Sequence, residues 1–190
     1  MTAPTSLNAW VTNAAERQAH ESTLRHLVGC RIERVRYVEL RYESGPIWAA
    51  AGFDALDFGL EFDLDNGDLW SCTWAMPAYD MGLLLNRGIP LSSTLRADAD
   101  PAVWDVSERW GELGSGEITA VTPVWTRIEA LCQTTIVLHT SAGCEVVLTL
   151  GAADVDDRFE PSADNVAVFF SIADAQAAGV RLEPESVTGE

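Results

Sequence analysis

Asp57, Glu61 and Asp63 are the residues whose types and spacing come closest to chemistry in this chain. Glu61 and Asp63 are next neighbours on one side of a predicted strand, a separation at which two carboxyls can split their pKa values and act as an acid and base pair. The polar side of any amphipathic strand has the same pattern, so three readings stand: catalysis, a partner-binding face, or plain solvent exposure. The adjoining tip Asp63-Leu64-Asp65-Asn66-Gly67-Asp68 has the outline of a calcium loop but not its ligands. Gly67 occupies the third ligand position, Asp68 the glycine position, and Trp74 the place of the bidentate Glu. A solvated hairpin tip is expected there, with no metal.

Other reactive residues lead away from catalysis. His20 and His26 are six residues apart and do not stack on one helix face, and His139 stands alone. Neither H-E-x-x-H, nor G-x-S-x-G, nor a paired Cys/His cluster occurs. The stretch Gly111-Glu112-Leu113-Gly114-Ser115-Gly116 is glycine-rich but precedes a predicted strand, so it lacks the helix N-terminus that holds a phosphate. All twelve basic residues are arginine, so a Walker loop, a Schiff-base enzyme or a pyridoxal enzyme cannot operate in its usual form. Cys30, Cys72, Cys132 and Cys144 share no C-x-x-C spacing and read as reduced core or boundary thiols.

Two elements suit binding. The loop Gly45-Pro46-Ile47-Trp48-Ala49-Ala50-Ala51-Gly52 carries a tryptophan between two strands, where it is either an interface anchor or folded back on the core. Arg31, Arg34, Arg36 and Arg41 lie along one predicted strand with Glu33 and Glu39, and cross-strand pairing with the acidic hairpin accounts for them. The candidate partner-binding residues are therefore Trp48, Asp57, Glu61, Asp63, Asp65 and Asp68, with no catalytic residue and no cofactor.

The elements that position these residues form a repeat. Leu27, Ile32 and Val35 recur 86 residues later as Leu113, Ile118 and Val121. Each copy continues into a hairpin: Phe58, Leu60, Phe62 and Leu64 turn at Asp65-Asn66-Gly67 into Trp70, Cys72 and Trp74, and Ile136, Leu138 and Thr140 turn at Ser141-Ala142-Gly143 into Val146, Leu148 and Leu150. A two-residue turn would leave the tryptophans on the face opposite Phe62. A three-residue loop pairs Phe62 with Trp70 and Leu60 with Cys72, gathers the large residues together and puts Gly67 in the left-handed position; the same loop pairs Leu138 with Val146 and Ile136 with Leu148. Asp80 to Leu85 and Asp164 to Phe170 form a fourth element in each copy.

The expected fold is α+β and mainly β: one domain over 1–190, with an N-terminal helix within 6–28 capped by Ser6, repeat unit one at 29–86, a linker at 87–109, repeat unit two at 110–170, and a C-terminal helix and tail at 171–190. About eight strands form two related four-strand units, sharing one sheet or facing one another, with a helix at each end. Any ligand is expected in the cleft along their pseudo-twofold axis. The motifs Leu56-Asp57-Phe58-Gly59-Leu60-Glu61, Val103-Trp104-Asp105-Val106-Ser107-Glu108-Arg109-Trp110 and Asp164-Asn165-Val166-Ala167-Val168-Phe169-Phe170 resemble a family of small bacterial two-repeat proteins of uncharacterised activity. The resemblance spans roughly residues 24 to 180 and implies no catalytic residues.

Charge supplies the functional expectation. Net charge is −17, with six arginines against four glutamates up to residue 41 and six arginines against 25 acidic residues beyond it. Such a field repels nucleic acid and anionic membrane and attracts a basic partner. The N-terminus lacks the basic start and apolar run of a secretion signal, and no segment approaches the roughly 18 apolar residues of a membrane span, so a cytoplasmic protein is expected. The favoured function is a non-enzymatic immunity protein that neutralises a basic cognate toxin; the alternatives are a small-molecule-binding regulator and a carboxylate-based enzyme.

Overall fold

The computed structural model describes all residues except 1–3, 43–44, 46–47, 77–80, 96–99, 112–115, 128–130 and 184–190. Two antiparallel sheets face each other. The first contains β3 (Ile32–Leu40), β5 (Gly59–Leu64), β6 (Leu69–Ala75) and β7 (Gly82–Arg87) as a meander, flanked by β1 (Thr5–Leu7) beside β7 and β8 (Pro101–Asp105) beside β3. The second contains the meander β9 (Ile118–Arg127), β10 (Leu131–Thr140), β11 (Glu145–Ala153) and β12 (Phe159–Phe169), with β4 (Asp54–Leu56) beside β12 and β2 (Trp10–Val11) beside one end of β10. Alternation along each strand sends Val35, Tyr37, Leu60, Phe62, Trp70 and Cys72 from one side and Ile136, Leu138, Val146, Leu148, Val166 and Val168 from the other into a shared core.

The hairpin registers agree with the three-residue loops expected from the apolar pattern. Phe62 faces Trp70 and Leu60 faces Cys72; 76 residues on, Leu138 faces Val146 and Ile136 faces Leu148. Gly67 and Gly143 have φ of 81° and 78°, a left-handed conformation that costs an L-residue energy. The first strands correspond too: Val35 lies opposite Phe62 as Val121 lies opposite Leu138, and each strand bulges at the matching residue, Glu33 in β3 and Thr119 in β9. Arg31 and Glu117, 86 residues apart, pair with one another in an antiparallel bridge, joined by an ion pair of 3.1 Å. The fourth strands match at an offset of 83, Leu85 opposite Cys72 and Val168 opposite Leu148, so Asp164 is not the counterpart of Asp80. Asp80 and Leu113 lie outside the described residues.

Several boundaries differ from the expectation. The N-terminal helix α1 spans Ala14–Leu24 and is capped by Asn13, whose side chain accepts the Glu16 N–H at 2.9 Å. Ser6 caps nothing, because Leu7, Trp10 and Val11, although spaced like one helical face, belong to two short strands that dock on β7 and β10. The linker contributes β8 and a one-turn helix, α2 (Ser107–Trp110), while β4, within the first unit's sequence, joins the second sheet. Helix α3 (Ile172–Ala177) stops before Gly179, as expected, and packs on the outer face of the second sheet over Val137, Val147, Ala167 and Phe169. None of the four cysteines forms a disulfide among the described residues, and three of them are buried. No helix among the described residues is long and apolar enough to cross a membrane.

Candidate functional site

The acidic hairpin face is built as a closed ion-pair array. Arg36 on β3 reaches across to β5, donating from Nε to Glu61 at 3.1 Å and from both terminal nitrogens to Asp63 at 2.6 and 3.1 Å. The 3-10 turn Leu91–Ser93 covers Glu61, which also accepts the Ser92 N–H at 3.1 Å and is 3% exposed. Solvent exposure, one of the readings of this face, therefore fails for Glu61. Asp68 binds Arg87 in a pair whose side chains are largely buried, and Asp65 accepts the Arg31 backbone N–H at 3.1 Å. Of the four arginines expected to answer the hairpin, Arg36 does so; the side chains of Arg31, Arg34 and Arg41 pair instead with Glu117, Asp105 and Asp100, and Asp68 is answered by Arg87 of β7.

Asp57 does not belong to that face. It lies between β4 and β5, where its carboxylate accepts from Tyr42 Oη at 2.8 Å, the Leu40 N–H at 3.3 Å and Asn165 Nδ2 at 3.4 Å, while its own backbone N–H donates to Glu39 Oε2 at 3.2 Å. Trp48 is close by. The loop folds back so that the half-buried indole meets Tyr37 edge-on at 5.5 Å and Trp104 at 5.8 Å. Of the six candidate residues, the structure brings Trp48 and Asp57 to one end of the sandwich and leaves Glu61, Asp63, Asp65 and Asp68 on the hairpin.

Around Trp48 and Asp57 sit residues the sequence reading passed over. Asp54, wholly buried on β4, receives a bidentate fork from Arg109 of α2 and the Tyr37 hydroxyl at 2.8 Å; the Trp110 indole in turn donates to Tyr37 Oη at 3.1 Å. Burial and the adjoining Asp54 push the Tyr37 phenol well above its ordinary range. Among the described residues no arginine pairs with Glu39. It is 2% exposed, and burial first, then the nearby Asp57 carboxylate, raise its carboxyl to about 9, so it is protonated at neutral pH. Oε2 accepts the Asp57 N–H, and a side-chain hydrogen bond to the Asp57 carboxylate also favours the protonated form. Neither Glu39 Oε1 nor Trp104 Nε1, diagonal neighbours on the inner faces of β3 and β8, has a hydrogen-bond partner. A buried indole N–H without an acceptor can take an oxygen atom of a ligand, and a neutral acid beside a carboxylate can hand over a proton. Strand parity carried the signal: Val35 and Tyr37 point inward, so Glu39 must follow.

Elsewhere the side chains are occupied structurally. His20 bonds Gln133 at 2.8 Å, with burial holding its pKa below the usual value, and His139 lies 3.4 Å from Glu145. No cluster of metal-ligating side chains occurs among the described residues. Beside the Arg31–Glu117 bridge lies a groove of about 670 Å³ lined by Arg31, Glu33, Arg34, Asp65, Ser107 and Trp110, residues of the first unit and of the stretch that joins it to the second. Its rim is crossed by ion pairs, since Arg31 engages Glu117 and Arg34 engages Asp105 at 3.3 Å. Comparison with family models, with curated proteins and with solved structures found no match for this chain.

Proposed function

We propose that this chain is a non-enzymatic binding protein that captures a basic protein, acting in the bacterial cytoplasm as an immunity protein against a basic toxin. The observation that carries the reading is the fate of the charges. Among the described residues, Arg17, Arg31, Arg34, Arg36, Arg41, Arg87, Arg109 and Arg158 are engaged in ion pairs within the chain, while the acidic residues outnumber the basic ones by 17. Internal pairing engages most of the cations, and the excess of carboxylates gives the surface a net negative charge. A basic partner meets that field at long range, which raises its association rate and makes the rate fall with salt.

Duplication of an ancestral four-strand unit belongs to the same reading, supported by the matching hairpins, the matching bulges and the Arg31–Glu117 bridge between equivalent residues. Pull-down from the native host, followed by association kinetics at two salt concentrations, tests the function. A basic protein is expected whose activity is inhibited on binding and whose association slows at high salt; recovery of no protein partner would sink the proposal. A second reading, a small-molecule-binding regulator, is favoured by the unpartnered Glu39 Oε1 and Trp104 Nε1, and a metabolite that co-purifies with the chain would support it.

A further inference from the structure

The outer face of the second sheet is only partly covered by α3. Beyond the helix, the paired ends of β11 and β12 form a groove of about 520 Å³ beside three phenylalanines, of which Phe53 and Phe169 are buried and Phe159 is half-exposed. Phe53 stacks on Phe169 at 5.1 Å, and Phe159, half-exposed, meets both edge-on at 5.7 and 5.4 Å. The rim is acidic: Asp156 and Asp157 come from the β11–β12 loop and Asp174 from α3. Next to them Val155 stands fully exposed at the loop tip. The chain's own Arg158 reaches this rim: its backbone N–H donates to Asp154 at 2.9 Å, while its guanidinium lies 3.8 Å from Asp156 and remains largely exposed.

We infer that this groove is where the basic partner docks, and that it takes an arginine side chain of that protein. The inference rests on the reading of the chain as a binder of a basic protein and names the surface it uses. The half-exposed Phe159 ring strips water from the methylene stem, while carboxylates at the rim accept the guanidinium N–H groups. Lysine satisfies the charge but not the planar fork, so arginine is preferred. The Arg158 guanidinium is the internal competitor, held by one long contact that an incoming guanidinium can replace. Val155 adds an apolar contact beside the anchor. The volume falls in the range of sites that enclose a small ligand, enough for one long side chain and the backbone that carries it.

The test is an amide NMR titration of the full chain with three capped tripeptides, Gly-Arg-Gly, Gly-Lys-Gly and Gly-citrulline-Gly. The arginine peptide should shift the amides of Gly52, Asp157 and Ala178 saturably, the lysine peptide less, and citrulline, which keeps the shape and loses the charge, not at all. Asp157 has φ of 59°, a left-handed conformation that Asn tolerates, so Asp157→Asn keeps the loop. It should weaken binding about tenfold, the worth of one charge-assisted hydrogen bond, while Arg158→Gln should strengthen it. Shifts scattered over the whole acidic surface, equal binding of citrulline, or Arg158→Gln weakening the complex would overturn the inference. Once a basic partner is in hand, equal affinity for wild type and Asp157→Asn would remove the groove and leave the proposed function standing; failure to capture any basic protein removes the function.

Discussion

The two central hairpins, β5–β6 and β10–β11, share register and turn geometry but seal their outer faces by opposite means. Outward residues of the first are Glu61, Asp63, Ser71 and Thr73, and the face is closed by Arg36 and the turn at Leu91–Ser93. Those of the second centre on the apolar pair Val137 and Val147, flanked by Thr135 with Thr149 and His139 with Glu145, and α3 lies over the valines with Ala175 buried. One backbone plan thus accepts either an ion-pair array or a helix as its outer layer. A neutralised carboxylate and a buried valine are equivalent solutions to the same exposure, but they fail differently when a partner is removed.

Replacing Phe169 by Ala should do the most damage, because its ring fills the space between the second sheet and α3 and is 1% exposed. A loss of about 4 kcal/mol in urea unfolding is expected. Replacing Arg36 by Met keeps the apolar stem and removes the charge, leaving Glu61 buried without its cation; the expected cost is about 3 kcal/mol. The double variant Arg36→Met, Glu61→Gln should recover most of that. If it recovers nothing, the array does not act as a pair and the contrast between the two faces collapses.

Glu39 sharpens the comparison, since it is a buried carboxyl neutralised by a proton instead of an arginine. Its pKa is about 9 in the folded chain against 4.5 for the exposed group, so the folded state holds the extra proton between those values. Stability from this group is fully present below about pH 4.5 and is lost as pH rises toward and through 9. Glu39→Gln removes the titration while keeping an acceptor for the Asp57 N–H. The variant should therefore be more stable than wild type at neutral pH, on the order of 2 kcal/mol or more at pH 7, with the gap widening by about 1.4 kcal/mol per pH unit between 5 and 8. Parallel stability curves for the two proteins would rule out a protonated Glu39.

The smallest effect tests the equivalence itself. Gly67→Ala and Gly143→Ala each place a Cβ on a residue with positive φ where the added carbon meets nothing within 4 Å. Each should cost about 1 kcal/mol, from backbone strain alone. Costs that differ by more than the experimental error would mean the two loops are not mechanically alike.

Much of this fold could be read from short-range pattern. Apolar alternation and one glycine per turn decide a hairpin's register locally, because a slip of one residue would turn Phe62 and Leu138 outward. Absence of lysine and the scarcity of histidine likewise narrowed the chemistry before any coordinates. The same patterns misplaced Leu7, Trp10 and Val11, whose spacing fits a helix as well as two docked strands. The preference of a three-residue strand for β7, or of Asp54–Leu56 for the opposite sheet, depends on edges that exist only once the sandwich has closed.

The carboxylates mark the same division most sharply. Composition and spacing determined that this chain is acidic, that arginine is its only lasting cation, and that Arg36 stands where it can answer Glu61 and Asp63. Tertiary structure alone decided that Asp54 meets Arg109, 55 residues away in sequence, and that Glu39 meets no cation among the described residues and keeps its proton. Charge count is a property of the chain, whereas the cost of a charge depends on how much water and which counter-charge surround it, and only the closed sandwich sets those.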